Sequence, residues 1–234
     1  MRRTESPEGN IFQDVDQLLE FVTSKWRQRW VITSVLDEPS LEKLLVRPFF
    51  LLLSIDAPVT TRWRRYRTRC STPGAPAPTF EDFVIQNDEQ MYSPHGGLAH
   101  LLDRAQLRLL NSSNDKANLH ASLRSLNLSN EQRLRPSWDQ YFMQLADLAA
   151  LRSNCMKRRV GCVVVRDKRV ISTGYNGTPR NVTNCNEGGC LRCNGGQGGG
   201  TGLATCLCIH AEENALLEAG RERIRDGATL YCNT

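Results

Sequence analysis

The chain has 234 residues, enough for one large or two small cores, and a single domain does not account for its length. Lysine and arginine exceed aspartate and glutamate by 30 to 25, an excess gathered largely into Arg62, Arg64, Arg65, Arg67 and Arg69, so charge alone gives no argument for a nucleic-acid partner. No apolar run approaches the roughly 18 residues of a spanning helix, which excludes a helical membrane segment.

The N-terminal MRRTESPEGN has two arginines but no apolar stretch behind them. No secretory signal is read there, and a reducing cytoplasmic compartment, with nuclear presence allowed, is expected. Val15, Leu18, Leu19, Val22 and Trp26 recur at helical spacing over 14–26, and Val31 to Val35 reads as a short strand. A helix over Leu41 to Leu45, a buried strand over Phe49 to Ile55 and a helix opened by the arginines continue the alternation, as in a parallel α/β piece. The arginine cluster itself fits a solvated helix face, a nucleic acid or a small-molecule phosphate.

Ser71 to Thr79, STPGAPAPT, reads as a surface linker or insertion. Leu98, Leu101, Leu102, Ala105 and Leu109 then form a helical stripe, and Asn111 to Asn130 reads as a loose connection. From Pro136 the spacing of Trp138, Phe142, Leu145, Leu148, Ala149 and Leu151 predicts a helix. Strands follow over Val160 to Val165 and Val170 to Thr173, joined by a hairpin turn at Arg166 to Lys168 that lacks the usual glycine. Gly188 to Gly202 reads as a long polar loop, His210 to Ile224 as a helix and Ala228 to Cys232 as a strand.

Chemistry concentrates in CLCIHAEENALLEAG, where His210 and Glu212 form an H-x-E at a helix start. Zinc deaminases use this pattern, with the imidazole as a metal ligand and the carboxylate as a proton carrier that does not touch the metal. Two residues apart on a helix do not face each other, so the pair converges only at an open helix N-terminus. Alone, H-x-E reads more readily as a capping histidine beside a solvated glutamate. Eight of the nine cysteines lie between Cys155 and Cys232. Cys185, Cys190 and Cys193 in NCNEGGCLRCN, with Cys155, Cys206 and Cys208, point to a structural zinc clamping the glycine-rich loop, against a competing reading of plain reduced thiols. Cys232 reads as a small buried hydrophobe rather than a zinc ligand.

The segments RPSWDQYFMQLADLAALRSNCMKRRVGCVVV, VISTGYNGTPRNVTNC, TCLCIHAEENALLEAGRERI and ATLYCNT together resemble the fungal type of the deoxycytidylate (dCMP) deaminase family. The resemblance implies a cytidine-deaminase-like α/β/α sandwich over 136–234 and hydrolytic deamination of dCMP to dUMP for dTMP synthesis. It implies catalysis by Glu212, zinc held by His210, and substrate contacts from Asn176 and Thr178 in GYNGTP. It further implies a homo-oligomer with dCTP and dTTP as effectors, and no nucleic-acid or membrane partner. For the second zinc it favours Cys155, Cys185, Cys190 and Cys206 over Cys193 and Cys208. The family's P-C-x-x-C is not found, so the domain reads as stopping before that zinc motif and as incomplete at its C-terminus. A catalytically inactive fragment or regulatory partner is the alternative function, with a nucleic-acid cytidine or adenosine deaminase behind it. RPFFLLLSIDAPVTTRWRRYRTRC is similar to part of a P-loop nucleotide kinase, although no G-x-x-x-x-G-K-[ST] occurs. The expected organisation is a partial P-loop-kinase-like α/β module over 1–70, a linker and helical insertion over 71–135, and the deaminase domain over 136–234.

Overall fold

The computed structural model describes residues 10–33, 35, 37–70, 79–94, 96–196 and 198–234. The N-terminal leader reading and most of the 71–79 linker lie outside these residues. The chain divides into two compact units, residues 1–134 and 135–234.

In the first unit, α1 (Val15–Ser24) and α2 (Glu38–Leu45) start where the Asp14 and Asp37 carboxylates accept the Gln17 and Ser40 backbone N–H groups, each at 2.8 Å. They bury Leu19 and Val22 against Leu44. Strand β1 (Leu53–Asp56) leads into α3 (Val59–Arg69), α4 (Phe80–Tyr92) and α5 (Ala99–Asp103). Strand β2 (Leu107–Leu110) then pairs parallel with β1, Leu53 opposite Leu107, and α6 (Lys116–Ser125) follows. The described residues of Val31 to Val35 form no strand, and the strand expected over Phe49 to Ile55 is confined to Leu53–Asp56. The helical stripe from Leu98 to Leu109 is cut in two because pairing with β1 draws Leu107–Leu110 into extended backbone. A capping box between Thr79 and Asp82 starts α4, and the Asp115 carboxylate starts α6 inside the segment expected to be loose. Within the arginine cluster, Arg62 donates to the Ala57 carbonyl at 2.9 Å and Arg65 to those of Asn111 and Ser113.

The second unit begins with α7 (Trp138–Ala150), started by a capping box between Ser137 and Gln140. Strands β3 (Gly161–Arg166) and β4 (Arg169–Tyr175) form the expected hairpin. Asp167 and Lys168 at its tip both take positive φ, 50° and 61°, as a two-residue type I′ turn demands, so no glycine is needed. The short helix α8 (Leu191–Asn194) interrupts the glycine-rich loop, whose tip at Gly198 and Gly199 has open space where a side chain would project. Helix α9 (Ala211–Ala219) ends at Gly220, φ 69°, earlier than expected, and β5 (Thr229–Cys232) completes an antiparallel sheet of order β4-β3-β5.

Strict alternation along β3 divides the core. Val163 and Val165 face Phe142 and Ala146 of α7, while Cys162 and Val164 face Ala211 and Ala215 of α9. The result is an α/β/α sandwich whose two helices approach the sheet unusually closely. A Cβ on Gly161 would overlap the Ala146 carbonyl and stand 2.9 Å from Ala150 Cα; one on Gly174 would overlap the Ala211 carbonyl and stand 2.8 Å from Ala215 Cα. Gly174→Ala is expected to destabilise the chain by about 1–3 kcal/mol, as overpacking does; a denaturant midpoint equal to that of the parent chain would contradict this packing.

Candidate active site and thiol cluster

Close packing on Gly174 fixes the start of α9, where His210 occupies the N-cap. Its side chain makes no capping bond and stands exposed, which removes the reading of His210 as a helix cap and leaves its imidazole uncommitted. Glu212, half-buried in the first turn, is not simply solvated: the Cys232 thiol donates to its Oε1 at 3.1 Å. Its own backbone N–H, the Cys232 thiol and the nearby His210 hold the Glu212 carboxyl below its usual range. Conversely, burial and then Glu212 push the Cys232 thiol up to about 12, and burial with the Glu212 charge pushes Cys162, its partner across the sheet, up to about 11. At neutral pH the carboxylate is therefore ionised and both thiols keep their protons. His210 and Glu212 open onto a cleft of about 720 Å³ with Glu213, Leu216, Leu217, Arg221 and Ile224.

The GYNGTP turn lies beside this helix start, joined to it by a two-way backbone bridge. Gly177 N–H donates to the Ile209 carbonyl at 3.3 Å and Ile209 N–H to the Gly177 carbonyl at 2.9 Å. Asn176 Oδ1 accepts from Ser153 Oγ at 2.6 Å and Val160 N–H at 2.9 Å, and its Nδ2 donates to the Arg158 carbonyl at 2.8 Å. Thr178 N–H donates to Asn154 Oδ1 at 3.3 Å, while Thr178 Oγ1 is buried without a hydrogen-bond partner. Ser153 and Asn154 were not singled out in the sequence, and Cys232 was read there only as a small buried hydrophobe. Nothing in their spacing marks them; only the fold brings Ser153 and Asn154 under the turn and Cys232 against Glu212.

Six cysteines gather into one buried knot around Cys185, Cys190 and Cys193, with Cys155, Cys206 and Cys208 packed against them. Among the described residues two groups have all four sulfurs within 4.8 Å: Cys155, Cys185, Cys193 and Cys208, and Cys190, Cys193, Cys206 and Cys208. Either suits a tetrahedral thiolate metal. The expected quartet of Cys155, Cys185, Cys190 and Cys206 thus divides two and two, and Cys193 and Cys208 belong to both groups. Neither group includes His210. The cluster holds its thiols unequally: Cys193 and Cys208 are pushed up by burial, Cys190 the other way. At Cys190, desolvation opposes ionisation, but backbone N–H groups of Cys193 and Leu207 and neighbouring thiols outweigh it and bring the thiol down to about 6.

Known proteins carry the same pattern. The family description "Cytidine and deoxycytidylate deaminase zinc-binding region" matches residues 136–234. The deoxycytidylate deaminase of Schizosaccharomyces pombe is 53% identical over 225 residues, spanning 96% of this chain and 69% of that protein. That of Saccharomyces cerevisiae is 48% identical over 237 residues, spanning 96% of this chain and 73% of that protein. This chain belongs to the deoxycytidylate deaminase family. The crystal structure of a dCMP deaminase from the cyanophage S-TIM5 in complex with dCMP and dUMP is 30% identical over 42% of this chain and 65% of that one, with a TM-score of 0.33. The family match corrects the expectation that the deaminase domain is cut short ahead of its zinc-binding region. That region extends over residues 136–234 and lies within this chain.

Asn176→Ala would strip the acceptor from Val160 N–H and the donor from the Arg158 carbonyl, leaving Ser153 Oγ only the Asn176 carbonyl. A loss of about 1–3 kcal/mol is expected, measured as a lowered denaturant midpoint; an unchanged midpoint would show that the clasp contributes nothing to folding.

Proposed function

We propose that this deoxycytidylate deaminase family member catalyses the zinc-dependent hydrolysis of dCMP to dUMP and ammonia. One observation carries the reading: at the start of α9 an uncommitted imidazole, His210, stands two residues from a half-buried, ionised carboxylate, Glu212. His210 is the residue placed to hold the catalytic zinc, whose chemistry is to lower the pKa of water toward about 7 and so supply hydroxide for attack at C4 of cytosine. Glu212, kept anionic by its backbone N–H and the Cys232 thiol, takes the proton from water, delivers it to N3 and then serves the leaving amine. The Cys232 thiol, donating to Glu212 Oε1, orients this carboxylate.

Substrate recognition is assigned to the GYNGTP turn. Asn176 has one amide N–H left after its internal bonds, and the Thr178 hydroxyl is buried and unpartnered, so both retain capacity to meet a polar ligand. The reading carries the family's oligomeric assembly and its dCTP and dTTP effectors, and a cytoplasmic site of action. No helix among the described residues is long and apolar enough to cross a membrane. For the N-terminal unit the kinase-like reading is supported by the parallel β1–β2 pair, whose second strand at Leu107–Leu110 falls beyond the expected 1–70 module, and by the arginine helix that follows β1.

Glu212→Gln is expected to lower dCMP turnover by roughly 10²–10⁴-fold, the usual contribution of a positioned acid–base group, with zinc content unchanged; near-parental turnover would overturn the role of Glu212. Thr178→Val preserves shape and removes an unsatisfied hydroxyl, so stability should hold or rise slightly while KM for dCMP rises. An unaltered KM would take Thr178 out of the substrate site.

A further inference from the structure

Two sulfur quartets that share two members have a definite chemical meaning. Zinc–sulfur bonds of about 2.3 Å set tetrahedral ligands about 3.8 Å apart. Cys193 and Cys208 are 3.9 Å apart, Cys155 and Cys193 3.9 Å, Cys193 and Cys206 3.8 Å, and Cys190 and Cys206 3.9 Å. Each of these separations is an edge of one quartet or of both. One four-coordinate ion would leave two buried or half-buried thiols packed against it without a metal.

We propose that the six cysteines hold two zinc ions, as two tetrahedra sharing the Cys193–Cys208 edge. Cys155 and Cys185 complete one tetrahedron; Cys190 and Cys206 complete the other.

The hydrogen bonds around the knot follow the same division. Met156 N–H donates to Cys185 Sγ and Leu207 N–H to Cys190 Sγ, each at 3.4 Å, and Arg192 Nη1 approaches Cys206 Sγ at 3.9 Å. Backbone N–H groups of Lys157 and Arg158 serve Cys155. These donors fall on the four terminal sulfurs, where thiolate charge is shared with one metal. The Arg192 guanidinium also bonds Cys193, whereas the backbone donors named above all fall on sulfurs that belong to a single quartet. Loading displaces to solvent whatever thiol protons remain; two divalent ions and six thiolates leave a net charge of −2, toward which the Arg192 guanidinium is turned while its Nε is held by the Thr201 carbonyl. The ions would brace the glycine-rich loop and, through Cys208 and the Ile209–Gly177 bridge, the approach to both His210 and the GYNGTP turn.

The assignment does not depend on deamination, and its test is kept separate. The full chain carrying His210→Ala, which removes the catalytic ligand from an exposed position outside the knot, is loaded with ¹¹³Cd in place of zinc and observed by cadmium NMR, with bound metal counted independently. Two bound ions with two mutually coupled cadmium resonances are expected, because coupling requires bridging sulfur. One ion, two uncoupled resonances, or no bound metal with all six thiols open to alkylation after denaturation would each overturn the shared edge. In the chain with His210 intact, Cys155→Ser should cost one cluster ion and abolish the coupling, while Cys193→Ser should release both; equal losses from the two variants would likewise contradict bridging. Failure of dCMP turnover would leave the cadmium result untouched.

Discussion

Everything in the second unit depends on how closely two helices lie on one hairpin. Gly161 and Gly174 remove the side chains that would hold α7 and α9 away, and small residues, Ala146 and Ala150 on one helix and Ala211 and Ala215 on the other, fill the contact. Such backbone-to-backbone packing leaves little room to slide, because a shift of a few tenths of an ångström meets hard repulsion. The N-terminus of α9 is thereby fixed against the end of β4, where Asn214 Nδ2 also donates to the Tyr175 carbonyl at 2.8 Å. A site built on a helix start needs that rigidity, since His210 and Glu212 do not face each other along a regular helix.

Around that point the electrostatics divide labour. One carboxylate is stabilised as an anion by N–H and S–H donors, and the thiols beside it are held neutral by burial and by that same negative charge. The sheet places Cys162 opposite Cys232 in register, so two cysteines of this unit serve as protonated neighbours of Glu212 while six others form a separate sulfur knot. Cysteine count alone cannot separate these uses; burial next to Glu212 in one case, and mutual sulfur contacts in the other, do.

Much of the second unit was legible because its signals are local: helical spacing from Trp138, the alternation of two strands, the H-x-E at a helix start and the strand ending at Cys232. The first unit was read less well. Pairing of Leu107–Leu110 with β1, distant in sequence, overrode a convincing helical stripe, and the caps at Thr79 and Asp115 started helices where polar composition argued for loops. Within the site, His210 and Glu212 followed from their motif, but the choice among six cysteines did not, since sulfur groupings depend on where the loop folds back. The environment of Asn176 was equally hidden: its partners Ser153 and Val160 lie across a turn whose geometry no spacing rule encodes.

The glycine-rich loop combines pinned ends with a bare tip. Its two arms are tied into the sulfur knot, whereas Gly198 and Gly199 meet no neighbour within 4 Å. Natural variation in length should therefore gather at that tip and avoid the arms, and the same position offers a permissive graft point for an epitope or fluorophore-binding peptide. A tag placed there would ride on the surface while the arms, tied into the sulfur knot, keep it from disturbing the hairpin beneath.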